Sequence, residues 1–128
     1  MTVLLSCLFI AVLLSYFSKA PLVVAMKNST GGYDNCHPRE QAASLKGFGA
    51  RAWAAHQNSF ESLLVFAIAI LAAVATNHTG RLVQILAVAH IVLRCVYHVV
   101  YLLNLATLRT SIWFLGLLCS LIILGVCI

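Results

Sequence analysis

The sequence is short of charge, and shortest of acid. Asp34, Glu40 and Glu61 are the only carboxylates in 128 residues, of which 9% are charged. A soluble domain carries about a quarter charged residues, so an ordinary water-facing surface is excluded. Proline is nearly absent too, with Pro21 and Pro38 alone, which leaves long stretches free to run as helix. The cysteines Cys7, Cys36, Cys95, Cys119 and Cys127 include no CxxC pair. All but Cys36 lie in apolar segments, where a thiol behaves as a small buried hydrophobe. Such spacing supplies neither a disulfide framework nor a metal site, and Cys36-His37 is too short a ligand set for zinc. There is no run of basic residues of the kind that grips phosphates, so no nucleic-acid partner is expected.

Hydrocarbon is abundant instead. The chain is 62% hydrophobic, which places it in the membrane class. A crossing takes about 20 residues of helix, so four crossings fit with short links and no second domain. The pattern predicts spans over about 2–26, 47–76, 81–104 and 108–128, with a loop over about 27–46. That loop is rich in Asn, Ser and Gly, and Pro38 suits the first turn of a helix. The N-terminal stretch lacks the basic region of a signal peptide and stays apolar to Met26, so it reads as a retained first span. Short links make antiparallel neighbours. The expected fold class is therefore an all-α integral membrane protein, a four-transmembrane-helix up-down bundle.

Basic residues set the expected orientation. The net charge is +5, and Lys27, Arg39, Lys46 and Arg51 crowd the first loop, with Lys19 nearby. The second link holds Arg81 alone, and the third ends at Arg109. The first and third connections are thus expected in the cytoplasm and both termini outside. Trp53 and Trp113 read as interfacial anchors.

The polar residues at membrane depth carry the functional argument. The apolar run Leu63 to Ala75 covers only about 20 Å of the roughly 30 Å needed. The second span must therefore draw in Asn58 and Glu61. A charged residue at mid-membrane costs about 2.5–3.5 kcal/mol on insertion scales, so these side chains are expected to face the bundle or each other. At about 100° per residue, Arg51, Asn58 and Glu61 share one side of the second span, with His56 opposite. His90, Arg94, Tyr97, His98 and Tyr101 share one side of the third. The two stripes suggest a common site, with Glu61 paired to Arg94 within or between subunits. Plainer roles stand beside this. The ion pair could serve only to orient the bundle, the tyrosines could be belt aromatics, and the histidines suit packing or hydrogen bonding better than metal binding.

Arg51-Ala-Trp-Ala-Ala-His-Gln-Asn58-Ser-Phe-Glu61, running into an apolar helix, resembles the MAPEG family of membrane-associated proteins in eicosanoid and glutathione metabolism. Arg94-Cys-Val-Tyr97-His-Val-Val-Tyr101, followed by Arg109, and the loop's Pro38-Arg39-Glu40 extend the likeness, the last toward its bacterial branch. The resemblance implies a homotrimer of four-helix subunits in a bacterial inner membrane, contacting membrane lipids and using glutathione as co-substrate. The implied activity is transfer of its thiol to lipophilic electrophiles or reduction of lipid hydroperoxides. By the same resemblance Arg51, Asn58, Glu61, Arg94, Tyr97 and Tyr101 contact glutathione, and Arg109 is the catalytic residue beside its sulfur. Two positions depart from the pattern. Ala54 stands where several catalytic members carry a further arginine, and the link 104–108 lacks a proline seen in some. The alternative is a non-catalytic member that binds a lipid or another anionic amphiphile. Small multidrug exporters also have four spans, but they depend on a carboxylate in the first, and this first span has none.

Overall fold

The computed structural model describes residues 1–128 and contains only helices: α1 Thr2–Phe17, α2 Lys19–Lys27, α3 Pro38–Ser44, α4 Phe48–Ala75, α5 Arg81–Leu102 and α6 Ala106–Val126. Four stretches are long and apolar enough to cross a membrane: Thr2–Lys27, which joins α1 to α2, then Phe48–Ala75, Arg81–Leu102 and Ala106–Val126. The protein is an all-α, multi-pass integral membrane bundle, and α3 caps one end of it.

The first span breaks at Ser18 because of Pro21. Proline has no N–H, and its ring crowds the carbonyl four residues back, that of Phe17. The other two links close by a different device. Asn77 and Asn104 adopt positive φ of 59° and 62°, a conformation that asparagine tolerates well. After α4, the amides of Asn77 and His78 donate to the carbonyls of Val74 and Ala73. After α5, those of Asn104 and Leu105 donate to Tyr101 and Val100. Both are complete Schellman endings, so each helix stops in one step and the next turns back beside it. The second of these sets Arg109 one turn into α6, level with the end of α5.

Small residues let the helices approach. Ala69 and Ala73 of α4 and Ala87 of α5 are fully buried beside Leu4, Phe66, Ile70 and Ile123. Near α3, Leu22, Met26, Ala42 and Ala52 form a second cluster. Large apolar side chains such as Phe9, Leu64, Leu82 and Phe114 point outward, as hydrocarbon rather than water requires.

The α3 loop is held by Gln41 and Asp34. The Gln41 amide donates to the Gly32 carbonyl at 2.7 Å and to Ser29 Oγ at 3.0 Å, and its oxygen accepts from the Asp34 amide at 3.0 Å. Asp34 Oδ1 accepts from the amides of Cys36 at 2.8 Å and His37 at 3.1 Å. These amides, His37 first and Cys36 second, hold the Asp34 carboxyl below the usual range. A carboxyl held low in the folded loop favours that loop above about pH 4, and the benefit disappears as pH falls through the lowered value. The amide resonances of Cys36 and His37 should therefore titrate with a midpoint below about 3.9, the free aspartate value. A midpoint at or above it would remove the cap from this account.

Candidate functional site

Polar side chains from α4, α5 and α6 meet on one flank of the bundle. Arg94, Tyr97 and Tyr101 occupy positions i, i+3 and i+7 of α5, and so stack along one face. Arg94 is 6% exposed. Its guanidinium donates to Asn58 Oδ1 at 3.0 Å and lies over the Tyr97 ring, 4.3 Å from the centroid. Tyr97 meets Tyr101 edge to face at 5.5 Å. The guanidinium of Arg109, from α6, lies over the Tyr101 ring at 4.4 Å. At the other end, Asn58 donates from Nδ2 to Glu61 Oε2 at 3.1 Å. The result is a ladder: Glu61, Asn58, Arg94, Tyr97, Tyr101, Arg109. Along α5, from Arg94 to Tyr101, it covers about 10 Å.

The ladder corrects one expectation and refines another. Within the subunit Glu61 and Arg94 do not form a direct ion pair; the only ion pair in the chain is the exposed contact of His37 with Asp34. Asn58 stands between Glu61 and Arg94, giving its oxygen to the cation and its N–H to the anion. A neutral amide can do both at once, which neither charged partner could. Arg51 stands apart from the ladder. Its Nε donates to the carbonyl of Leu102 at 3.2 Å, where a cation satisfies an open carbonyl at the end of α5 and complements the helix dipole.

His98 also leaves the stripe that spacing assigned to it. Its Nε2 lies 3.0 Å from Ser59 Oγ on α4. Ser59 already donates its hydroxyl proton to the Ala55 carbonyl at 2.9 Å, so the network assigns the bonding proton to His98 Nε2. The period explains the slip: His98 follows Tyr97 by one residue, and about 100° carries it from the ladder to the α4 side. His56, placed opposite by spacing, bonds Ser18 Oγ through Nδ1 at 2.8 Å.

Spacing did not reveal what surrounds His90. This side chain is 2% exposed and stacks on Phe66 with centroids 4.1 Å apart. Its Nδ1 donates to the Gly116 carbonyl at 2.9 Å, while Nε2 faces Ser62 Oγ at 3.5 Å. Ser62 follows Glu61 directly, and Ser120 approaches the same imidazole at 3.2 Å. Serines inside apolar spans were the available signal. Between this cluster and the ladder lies a cavity of about 110 Å³, lined by Glu61, Arg94 and Trp113 among others. Trp113 thus faces a polar pocket as well as the surroundings of the bundle.

No group of His, Cys, Asp or Glu side chains is placed to hold a metal. Two tyrosine rings lie between two guanidinium groups, and two arginines answer one carboxylate. Such an arrangement suits a ligand with more than one anionic group and an ammonium. Across the whole chain, the model of the MAPEG family matches residues 3–128. The chain belongs to the MAPEG family. No curated protein and no solved structure matches it. MAPEG proteins generally use glutathione.

Proposed function

We propose that this MAPEG protein is a membrane-bound, glutathione-dependent transferase or peroxidase acting on lipophilic electrophiles or lipid hydroperoxides. The observation that carries the reading is the ladder, with Arg94 and Arg109 held at its two levels by tyrosine rings. Glutathione is a tripeptide with two carboxylates, one ammonium and one thiol. Three extended residues span at most about 10–11 Å, the scale of the ladder. Glu61 would receive the ammonium, and Asn58 and Arg94 the carboxylate beside it. Tyr97 and Tyr101 would line the backbone, and Arg109 would sit at the sulfur. Arg51 would act indirectly, by fixing the α4–α5 junction.

The chemistry follows from the charge. An ordinary thiol has a pKa near about 8.5, and its thiolate is the nucleophile. The Arg109 guanidinium keeps its proton, so it favours the thiolate, at about 1.4 kcal/mol for each unit of lowering. The thiolate sulfur then attacks the electrophile's carbon and expels its leaving group as the anion, or attacks the distal oxygen of a hydroperoxide, breaking the O–O bond to give, with a proton, the lipid alcohol and glutathione sulfenic acid, which a second glutathione converts to the disulfide and water. Hydrocarbon around the bundle would dissolve and concentrate that second substrate.

A homotrimer is part of the proposal. Glu61 lies on the exposed surface of α4 within a span, and a carboxylate facing lipid is costly. A neighbouring subunit over that flank would cover it and enclose the ligand. The basic first loop supports placing the first and third connections in the cytoplasm of a bacterial inner membrane.

Glutathione added to the purified protein at up to a few times about 1 mM, the top of the ordinary KM range, should raise the ultraviolet thiolate band and release protons to solution. Neither signal appearing would overturn the proposal. Native mass spectrometry retaining an anionic lipid in place of glutathione would favour the binding-protein alternative. Ala54, half-buried one turn before Asn58, and the engagement of Arg51 with Leu102 are the features on that side.

A further inference from the structure

On the flank away from the ladder the bundle carries a second, apolar cavity. Its volume is about 260 Å³. The first span gives Leu14, Phe17, Ser18 and Pro21, spaced i, i+3, i+4 and i+7 on one face. From α5 come Cys95, His98 and Leu102, again one face, and Ala52 and Ala55 of α4 make the floor. The cavity has two causes in the sequence. Pro21 and the break at Ser18 lie on the side of the first span that faces the cavity, and alanines on α4 do not fill the gap.

The solvent of this flank is hydrocarbon. Cys95 is exposed at the wall, and its neighbours Val92, Val96 and Val99 are 56%, 41% and 57% exposed, so the cavity opens beside an outward apolar stripe of α5. Its polar groups are few and mostly engaged. Ser18 Oγ donates to the Ser15 carbonyl at 2.7 Å, and His98 gives its Nε2 proton to Ser59. The thiol of Cys95, a weak donor, and the Nδ1 acceptor of His98 are left to a ligand. An apolar cavity of about 150 Å³ is large enough to bind benzene and stays dry, and this one is larger and open to lipid.

We propose that this cavity binds one alkyl chain of a membrane amphiphile, entering sideways from the bilayer between the first span and α5. The site is independent of the glutathione reading, because it shares no residue with the ladder. The chain would lie along Leu14, Phe17 and Pro21, and Cys95 would stand at its entrance.

The test uses the full-length protein in phosphatidylcholine vesicles with a trace of a fatty acid bearing a mid-chain diazirine. On illumination, carbene insertion is expected at Leu14, Phe17, Pro21 or Leu102, and an excess of plain fatty acid should reduce it at least tenfold. Labelling spread over Val92, Val96 and Val99 and unaffected by the excess would overturn the proposal. Ala55→Phe should fill the floor and abolish the competed labelling, and unchanged labelling in that variant would also overturn it. A further measurement needs no change to the cavity. In a Cys36→Ser/Cys127→Ser background, the same fatty acid should slow alkylation of Cys95 by an alkyl maleimide at least threefold. An unchanged rate would count against occupancy.

Discussion

Arg109→Ala is expected to lower kcat/KM for thiol conjugation by about 10²–10³-fold, the usual effect of removing one pre-placed group that stabilises developing or transferred anionic charge. The prediction rests on where Arg109 is and what holds it. The Asn104 turn ends α5 and starts α6 within a few residues, so the guanidinium arrives over Tyr101 at 4.4 Å without a long flexible link. The pH profile separates chemistry from damage to the fold. In the unsubstituted protein the rate should rise with an apparent pKa below the thiol's ordinary value of about 8.5, and in Arg109→Ala the midpoint should return toward it. Arg109→Lys keeps the charge but loses the flat stack on the ring, so its rate should fall between the two. Tyr101→Phe keeps the ring face and should change the rate little. A profile that does not move in Arg109→Ala would take the thiolate away from this residue.

The bundle was legible because its signals are one-dimensional. Apolar runs, links rich in Asn and Gly, and stripes at helical spacing all follow from local sequence. Asn58, Glu61, Arg94, Tyr97 and Tyr101 could be gathered on two faces by arithmetic alone, and the structure brings them and Arg109 into one ladder. Arithmetic does not say which partner a side chain chooses. Asn58 between Glu61 and Arg94 is a choice among three neighbours. Arg51 turns to the Leu102 carbonyl because α5 ends there, and that ending is set by Asn104, far along the chain. His98 shows the angular limit, since one residue is enough to leave a face. His90 could be placed on a face, but not its stacking on Phe66 nor its bond to Gly116, because both depend on how α4 and α6 approach α5.

Asn58→Leu is expected to cost about 3 kcal/mol of stability, at the low end of the range for stranding a buried charge. Arg94 is 6% exposed, and the Asn58 oxygen is its one hydrogen-bond acceptor among the side chains. Leucine matches asparagine roughly in size but accepts nothing. The guanidinium cannot shed its charge, and hydrocarbon offers it no water. Polar contacts between membrane helices average only about 0.6 kcal/mol in double-mutant cycles, because separated helices find other partners. A permanent charge has fewer such alternatives than a hydroxyl or amide, and this decides for the larger figure. Partial relief is open to Arg94 by swinging to Glu61, so Asn58→Leu/Glu61→Gln should be worse than Asn58→Leu alone. Removing the charge with its acceptor tests the argument more sharply. Asn58→Leu/Arg94→Met leaves no stranded cation, the Glu61 carboxylate on the exposed side of α4 being the one charge left, and replacing both partners of a buried polar pair by apolar groups is often neutral. Unfolding in detergent should therefore show the double variant recovering most of the loss. Glutathione binding should stay absent in both, because stability asks only that Arg94 be satisfied, whereas the ligand asks that it be present. A double variant as unstable as Asn58→Leu would mean that Asn58 serves packing rather than charge.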